Sequence, residues 1–492
     1  MRRVRLTIVL LAAGLASCRG SRHPDTLPLA MEQDVRTLDP HRHDDSATHS
    51  VLANIYEPLV TFDREMGIVP ALADGWGNPT ELSWRFHIRP GTRFHDGRLL
   101  SAIDVKFSLE RARRLKSAVW PRSISRIDVL DEATLELGTT VPEPVLLNEL
   151  ASVGIVPAGT QEELVQAVGT GPYRVVQHLP GRSLRVAANE SYWGGKPPIR
   201  EAEFRVFPDS EARARALMAG EIFLTRELKR SDLAGAPRGV RFVSHPGLIV
   251  DVLGVNFRIP GPLLQKEVRQ AIYLALDPGK LIERSGIEAV PADEIVPPSV
   301  FGFLPGQREL RPQLDRAREL LRRAGFPQGI DVTLEMSSAF APSVGPAIEE
   351  QLAEAGIRAT VVGIDWARFS ERLGRQESPF FSVGWSCNGE ASHALNGLLH
   401  SRVEGRWGAS NFGAYSNPDL DTIIERAGTI LKPADRLGEL HGAMRISIEE
   451  LPLIPVYNRK RTYGVDDRVR FLPRLNGQVL LREISWADTP PR

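Results

Sequence analysis

Two hydrophobic textures divide this chain, and they constrain its fold more than any single motif. In the first half Leu82, Trp84, Phe86 and Ile88 are apolar while Ser83, Arg85, His87 and Arg89 are polar. That alternation is the period of a half-buried strand. Pro90-Gly91 ends it and His95-Asp96-Gly97 supplies the next turn, so this region reads as α+β with hairpins. In the second half Leu314, Ala317, Leu320, Leu321 and Ala324 recur at helical spacing until Gly325 and Pro327 stop them. Val332, Leu334 and Met336 then alternate as a strand, 344–355 is again helical and closes on Gly356, and 357–362 is strand-like. Helix and strand in succession predict an α/β lobe. Leu264, Val268, Ala271, Ile272 and Ala275 predict a further helix that ends at Asp277-Pro278.

A chain of 492 residues exceeds one ordinary core, so two or three lobes are expected. Sixty-one basic residues balance sixty-one acidic ones. No net field draws such a protein to nucleic acid, and no nucleic-acid partner is expected.

The N-terminus reads as an export signal. Arg2, Arg3 and Arg5 precede the apolar run from Leu6 to Leu15, which closes on Ala16 and Ser17. The run is far shorter than the roughly 20 residues that cross a hydrocarbon core. Leu15-Ala16-Ser17-Cys18 resembles a bacterial lipobox, in which the cysteine is acylated and begins the mature chain. The expectation is a leader over 1–17, lipid on Cys18, and a polar tether over 18–28. The alternative is a plain secretory leader with Cys18 a bystander. Cys387 is the other cysteine of the chain, and a lone bridge to Cys18 would tie a flexible tail to a distant segment.

Catalytic signatures are sparse. No phosphate loop, dinucleotide fingerprint, HExxH helix or CxxC pair occurs, and no cofactor is expected. Gly384-Trp385-Ser386-Cys387-Asn388 approaches the hydrolase nucleophile elbow, but its final glycine is displaced to Gly389. Cys387 with His393 could be imagined as a thiol and its base, yet no third partner is placed by the sequence. A secreted serine or cysteine hydrolase is therefore the weaker alternative to a non-enzyme. His41, His43 and His49 with Asp39, Asp44 and Asp45 could hold nickel or zinc, though their spacing matches no closed metal site.

A family resemblance runs through the chain in order. Leu38-Asp39-Pro40 and Ile55-Tyr56-Glu57-Pro58-Leu59 open it, followed by Pro70-Ala71-Leu72-Ala73, Trp84-Arg85-Phe86 and Phe94-His95-Asp96-Gly97. Gly169-Thr170-Gly171-Pro172-Tyr173, Asn189 with Tyr192-Trp193, Arg269-Gln270-Ala271-Ile272, Tyr415-Ser416-Asn417-Pro418 and Pro452-Leu453-Ile454-Pro455 complete it. This set resembles the family 5 solute-binding proteins, the peptide, dipeptide and nickel receptors of ATP-binding cassette importers. Read on their own, Phe94 to Gly97 is a turn with a structural His95, Trp84, Phe86 and Trp193 are core, and Gly169 to Tyr173 is a crossing between lobes.

The resemblance implies a two-lobed α/β and α+β fold of the type II periplasmic-binding-protein kind, with an extra inserted domain and the ligand cleft between lobes. Lobe I would comprise 29–59, 170–253 and 456–492, the insert 60–169, and lobe II 254–455. It implies an extracytoplasmic monomer, in the periplasm or at the cell surface, that captures a peptide-like solute by lobe closure and delivers it to a membrane permease. A nickel or metal-chelate receptor of the same family is the alternative, and a receptor that signals without transport is a third. The ligand main chain would lie between His43, Asp44, Asp45 and Ser46 on one side and Trp385, Ser386, Cys387 and Asn388 on the other, in the manner of strand addition. Relatives that read a free amine often place Asp where this chain has Asn388, which moves that role to Glu390, Asp44 or Asp45.

Overall fold

The computed structural model describes residues 24–306 and 311–487. The predicted leader, Cys18 and most of the tether lie outside these residues. No helix among the described residues is long and apolar enough to cross a membrane.

The alternating segment is the strand Ser83–Ile88, with Trp84, Phe86 and Ile88 buried as the period requires. It pairs with Ala73–Thr80 on one side and with Thr134–Thr139 on the other, and Ile124–Val129 completes a four-stranded antiparallel sheet. Across that sheet packs the helix Ala102–Arg114, whose buried face carries Val105, Leu109 and Ala112 but also Asp104, Ser108 and Arg111. The period-3.6 segments are the helices Leu314–Arg323 and Ala341–Glu354, with Gly325 and Gly356 at positive φ just beyond them. Their strands Ile330–Ser337 and Ile357–Ile364 run parallel. The helix predicted to stop at Asp277-Pro278 spans Lys266–Ala275, but Pro278 opens another helix, Pro278–Ser285, capped by the Asp277 side chain. Proline suits the first helical turn because its missing N–H would have no partner there.

An eleven-stranded sheet joins the two halves. From one edge it runs Ile357–Ile364, Ile330–Ser337, Phe380–Ser386, Val240–Val255, Leu453–Asp466, Leu224–Arg226, Thr26–Met31, Glu201–Val206, Ser183–Ala188 and Tyr173–Leu179, with Ala289–Pro291 added beside Leu453–Asp466. Leu27, Leu29, Tyr173, Leu184, Phe204, Tyr463 and Val465 build the core at one end. Val268, Ile272, Leu321, Leu334, Ile348 and Phe380 build it at the other.

Two long antiparallel strands, Val240–Val255 and Leu453–Asp466, pass through both halves. Their register shifts between Pro246 and Val250, where the ladder is broken by a bulge. Asn458 fills the break: its Nδ2 donates to Gly247 O at 3.0 Å and to Ile249 O at 2.9 Å. The two glycines read from sequence as a lobe crossing also lie against backbone. A Cβ at Gly169 would stand 2.0 Å from Ile55 O and one at Gly171 2.7 Å from Asn54 O, so these glycines permit close backbone packing.

Candidate ligand-binding site

The first predicted segment leaves the strand Thr26–Met31 and ends in the short helix Ser46–Leu52. Its root is held by a buried ion pair. Arg111, on the helix Ala102–Arg114, donates to Asp39 Oδ1 and Oδ2 at 2.9 and 2.6 Å, and both side chains are almost wholly buried. Arg111 Nη1 also donates to His41 Nδ1 at 2.9 Å, while His41 Nε2 lies 2.8 Å from Gly154 O. An arginine offers no lone pair, so the imidazole must accept at Nδ1 and donate from Nε2, which makes it neutral. Burial pushes the His41 pKa down to about 4, in agreement with that geometry.

Beyond this root the residues diverge. His43 is buried, its ring centroid 5.4 Å from that of His49, with no hydrogen-bond partner for Nδ1 among the described residues. It lines a cavity of about 40 Å³ with His49, Glu57, Ser152, Gln478 and Arg482. That volume suits two or three waters. Asp44 is exposed and pairs with Arg36 at 3.1 Å. Asp45 caps the helix, accepting from Thr48 N at 2.8 Å and from Gln33 Nε2 at 3.0 Å, and Ser46 follows as the first helical residue.

The second segment ends the strand Phe380–Ser386, which pairs with Val240–Val255 so that Trp385 opposes Val250. Trp385 stacks on His393 with centroids 5.2 Å apart, and its Nε1 has no partner among the described residues. Ser386 is exposed. Cys387 is buried, its N–H donates to Leu248 O, and burial pushes its thiol up to about 12. A thiol held protonated is a poor nucleophile. Asn388 O accepts from Asn148 Nδ2 at 3.1 Å. Glu390, expected as a substitute amine reader, is buried against Arg436 Nη2 at 2.5 Å and Ser392 Oγ at 2.6 Å, so its charge is already neutralised.

No hydrogen bond, ion pair or ring contact joins 43–46 to 385–390 among the described residues. A larger cavity of about 520 Å³ lies at the strand crossing, lined by Arg64, His245, Gly247, Val290, Pro297 and Leu475 among others, and none of the predicted ligand residues borders it. The described residues also contain no group of three or more His, Cys, Asp or Glu able to hold a metal ion. Asp39 and His41 are instead committed to Arg111.

Sequence reasoning missed Arg111, Arg436 and the role of Glu57. For Arg111 a signal was present, since Asp104, Ser108 and Arg111 recur at helical spacing beside Val105, Leu109 and Ala112. Glu57 is buried and accepts from Tyr192 Oη at 2.6 Å, Trp193 Nε1 at 2.9 Å and Thr170 Oγ1 at 3.0 Å. Three separate motifs thus meet at one carboxylate. His95 has the structural role expected of it, with Nε2 at 3.0 Å from Gly171 O and Nδ1 accepting from Gly169 N.

The profile of the bacterial extracellular solute-binding proteins, family 5 (middle region), matches residues 67–405. The chain belongs to that family. Among family 5 relatives, the glutathione-binding protein GsiB of Pectobacterium atrosepticum is 29% identical over 438 residues, covering 83% of each chain. HbpA2 from Haemophilus parasuis superposes with a TM-score of 0.83 at 23% identity, over 94% of this chain and 100% of its own. DppA from Helicobacter pylori, in complex with the peptide STSA, gives 0.74 at 23% identity, over 94% and 98%. Those likenesses agree with the two-lobed family 5 fold with mixed α/β content.

Proposed function

We propose that this chain is the substrate-binding lipoprotein of an ATP-binding cassette importer, anchored outside the cytoplasm through Cys18, which closes two lobes on a peptide-like solute and passes it to a membrane permease. The carrying observation is the paired crossing of Val240–Val255 and Leu453–Asp466 between two halves of one sheet, broken at Pro246–Val250. Such a crossing lets the halves rotate while the ladders on either side of it persist. Lobe I comprises 29–59, 170–253 and 456–492, lobe II 254–455, and the insert 60–169. The four-stranded sheet of the insert shares no strand with the large one, which supports this division.

In this reading the backbone of His43–Ser46 and of Trp385–Asn388 forms the walls that meet on the ligand's main chain. Relatives that bind glutathione and a tetrapeptide support a peptide-like ligand. The protein acts as a receptor in this reading, and the burial of Cys387, which pushes its thiol up to about 12, counts against a cysteine hydrolase.

The deciding experiment uses the chain from Arg19 onward, purified without refolding. Native mass spectrometry and thermal-shift screening follow, against peptides, amino-acid conjugates, sugars and nickel complexes. A ligand at a hundredfold excess over its Kd stabilises the fold by roughly 2.7 kcal/mol. A clear shift or a co-purified mass with peptides supports the reading. A shift with nickel complexes alone favours the metal-chelate receptor, and turnover of an amide or ester that Ser386→Ala or Cys387→Ala abolishes would overturn the receptor.

A further inference from the structure

The insert is tied to lobe I at several points. Arg111 holds Asp39, and Gly154 O accepts from His41 Nε2. The hairpin of Val60–Phe62 and Ile68–Pro70 is fastened at its tip to the C-terminal segment. There Arg474 Nη2 donates to Phe62 O at 2.5 Å and to Asp63 O at 2.8 Å, and Arg64 Nε donates to Glu483 Oε2 at 3.0 Å. Leu475 N donates to Arg64 O as well.

The tie to lobe II is of a different kind. Among the described residues one hydrogen bond joins the two, from Asn148 Nδ2 to Asn388 O at 3.1 Å. Asn148 lies on the helix Leu146–Leu150, and Asn388 closes the wall assigned to the solute. An apolar seat adjoins this bond. A Cβ on Gly389 would stand 3.2 Å from Phe62 Cε1, 3.3 Å from Asn148 Nδ2 and 3.5 Å from Met66 Cε, so the hairpin tip and the helix bear on one glycine. Phe62, Met66, Leu146 and Leu150 are buried in the same core cluster as Cys387. Lobe II supports the seat from behind, where Phe301 N donates to Gly389 O at 3.2 Å.

We propose that Asn148 is a positioning residue, which fixes the Asn388 peptide and with it the wall Trp385–Asn388 when the lobes are closed. This rests on the lobe division and closure proposed above. Several polar ties on one side and a single bond on the other make the insert travel with lobe I. Its bearing on Asn388 and Gly389 is then made on closing and broken on opening. A contact absent at first encounter leaves the association rate alone and slows release, so Asn148 lengthens the residence of a solute that it does not touch.

The test places spin labels on Glu81→Cys in the insert and Arg323→Cys in lobe II, both exposed, in the chain from Arg19 onward, where the native Cys387 is buried. Distances between the labels are measured by pulsed electron spin resonance in the chain alone and with trialanine or reduced glutathione added. Asn148→Ala should lower the ratio of short to long distances roughly 2- to 10-fold, as loss of one hydrogen bond implies, and speed probe release by a similar factor. Asn148→Asp sets a carboxylate against the Asn388 carbonyl and should open the molecule further. Association rates and melting temperatures should stay near those of wild type, which separates positioning from general loosening of the fold. Equal distance ratios and release rates in wild type and both variants sink the role of Asn148 and leave the receptor intact. One distance throughout, with or without either probe, overturns lobe closure and this inference together.

Discussion

The guanidinium of Arg111 holds the root of the predicted ligand segment through Asp39 and His41, with Gln161 O and Glu162 O as further acceptors. Removing one member of a buried pair strands the other, and Arg111→Ala should cost about 3–5 kcal/mol, measured as a lower denaturant midpoint. His41 adds a pH dependence. Its folded pKa of about 4 lies below the ordinary value of 6.5. Between those limits the unfolded chain takes a proton that the folded one refuses. Stability is therefore complete above pH 6.5 and falls as the pH drops toward 4, by on the order of 3 kcal/mol from this residue. Melting curves of wild type and His41→Asn should diverge over that window, with the variant flatter; parallel curves would remove His41 from the account.

Elements were legible where their period was long and clean. Ser83–Ile88, Leu314–Arg323 and Ile330–Ser337 follow from alternation and helical spacing because one face of each must be buried. What stayed hidden was partnership across the chain. Nothing local announces that Glu57 will meet Thr170, Tyr192 and Trp193, or that Glu390 will be claimed by Arg436, since such contacts arise only when distant elements pack. The bulge between the long strands was hidden for a like reason. Glycine spacing drew attention to Gly169–Tyr173, whereas the break in the long strands is filled by Asn458, 211 residues from Gly247. Asn458→Ala should leave Gly247 O and Ile249 O unpaired at a cost of about 1–3 kcal/mol each. A lower melting temperature with ligand affinity altered in the same variant would tie that bulge to closure; unchanged melting would show that water replaces the amide.

For the whole molecule the proposed anchor makes a separate forecast. The full chain expressed in a bacterial host should sediment with membranes, and Cys18→Ser should move it to the soluble extracytoplasmic fraction. Recovery of both forms in the soluble fraction would refute acylation at this residue. The position of Thr26–Met31 then has a mechanical meaning. This first strand lies parallel to Glu201–Val206 on one side and to Leu224–Arg226 on the other. A pull on its leading end loads both hydrogen-bonded ladders in shear, so their bonds resist together and do not peel away one by one. A protein dragged by its N-terminus would take the load in the middle of its larger sheet, through two ladders at once.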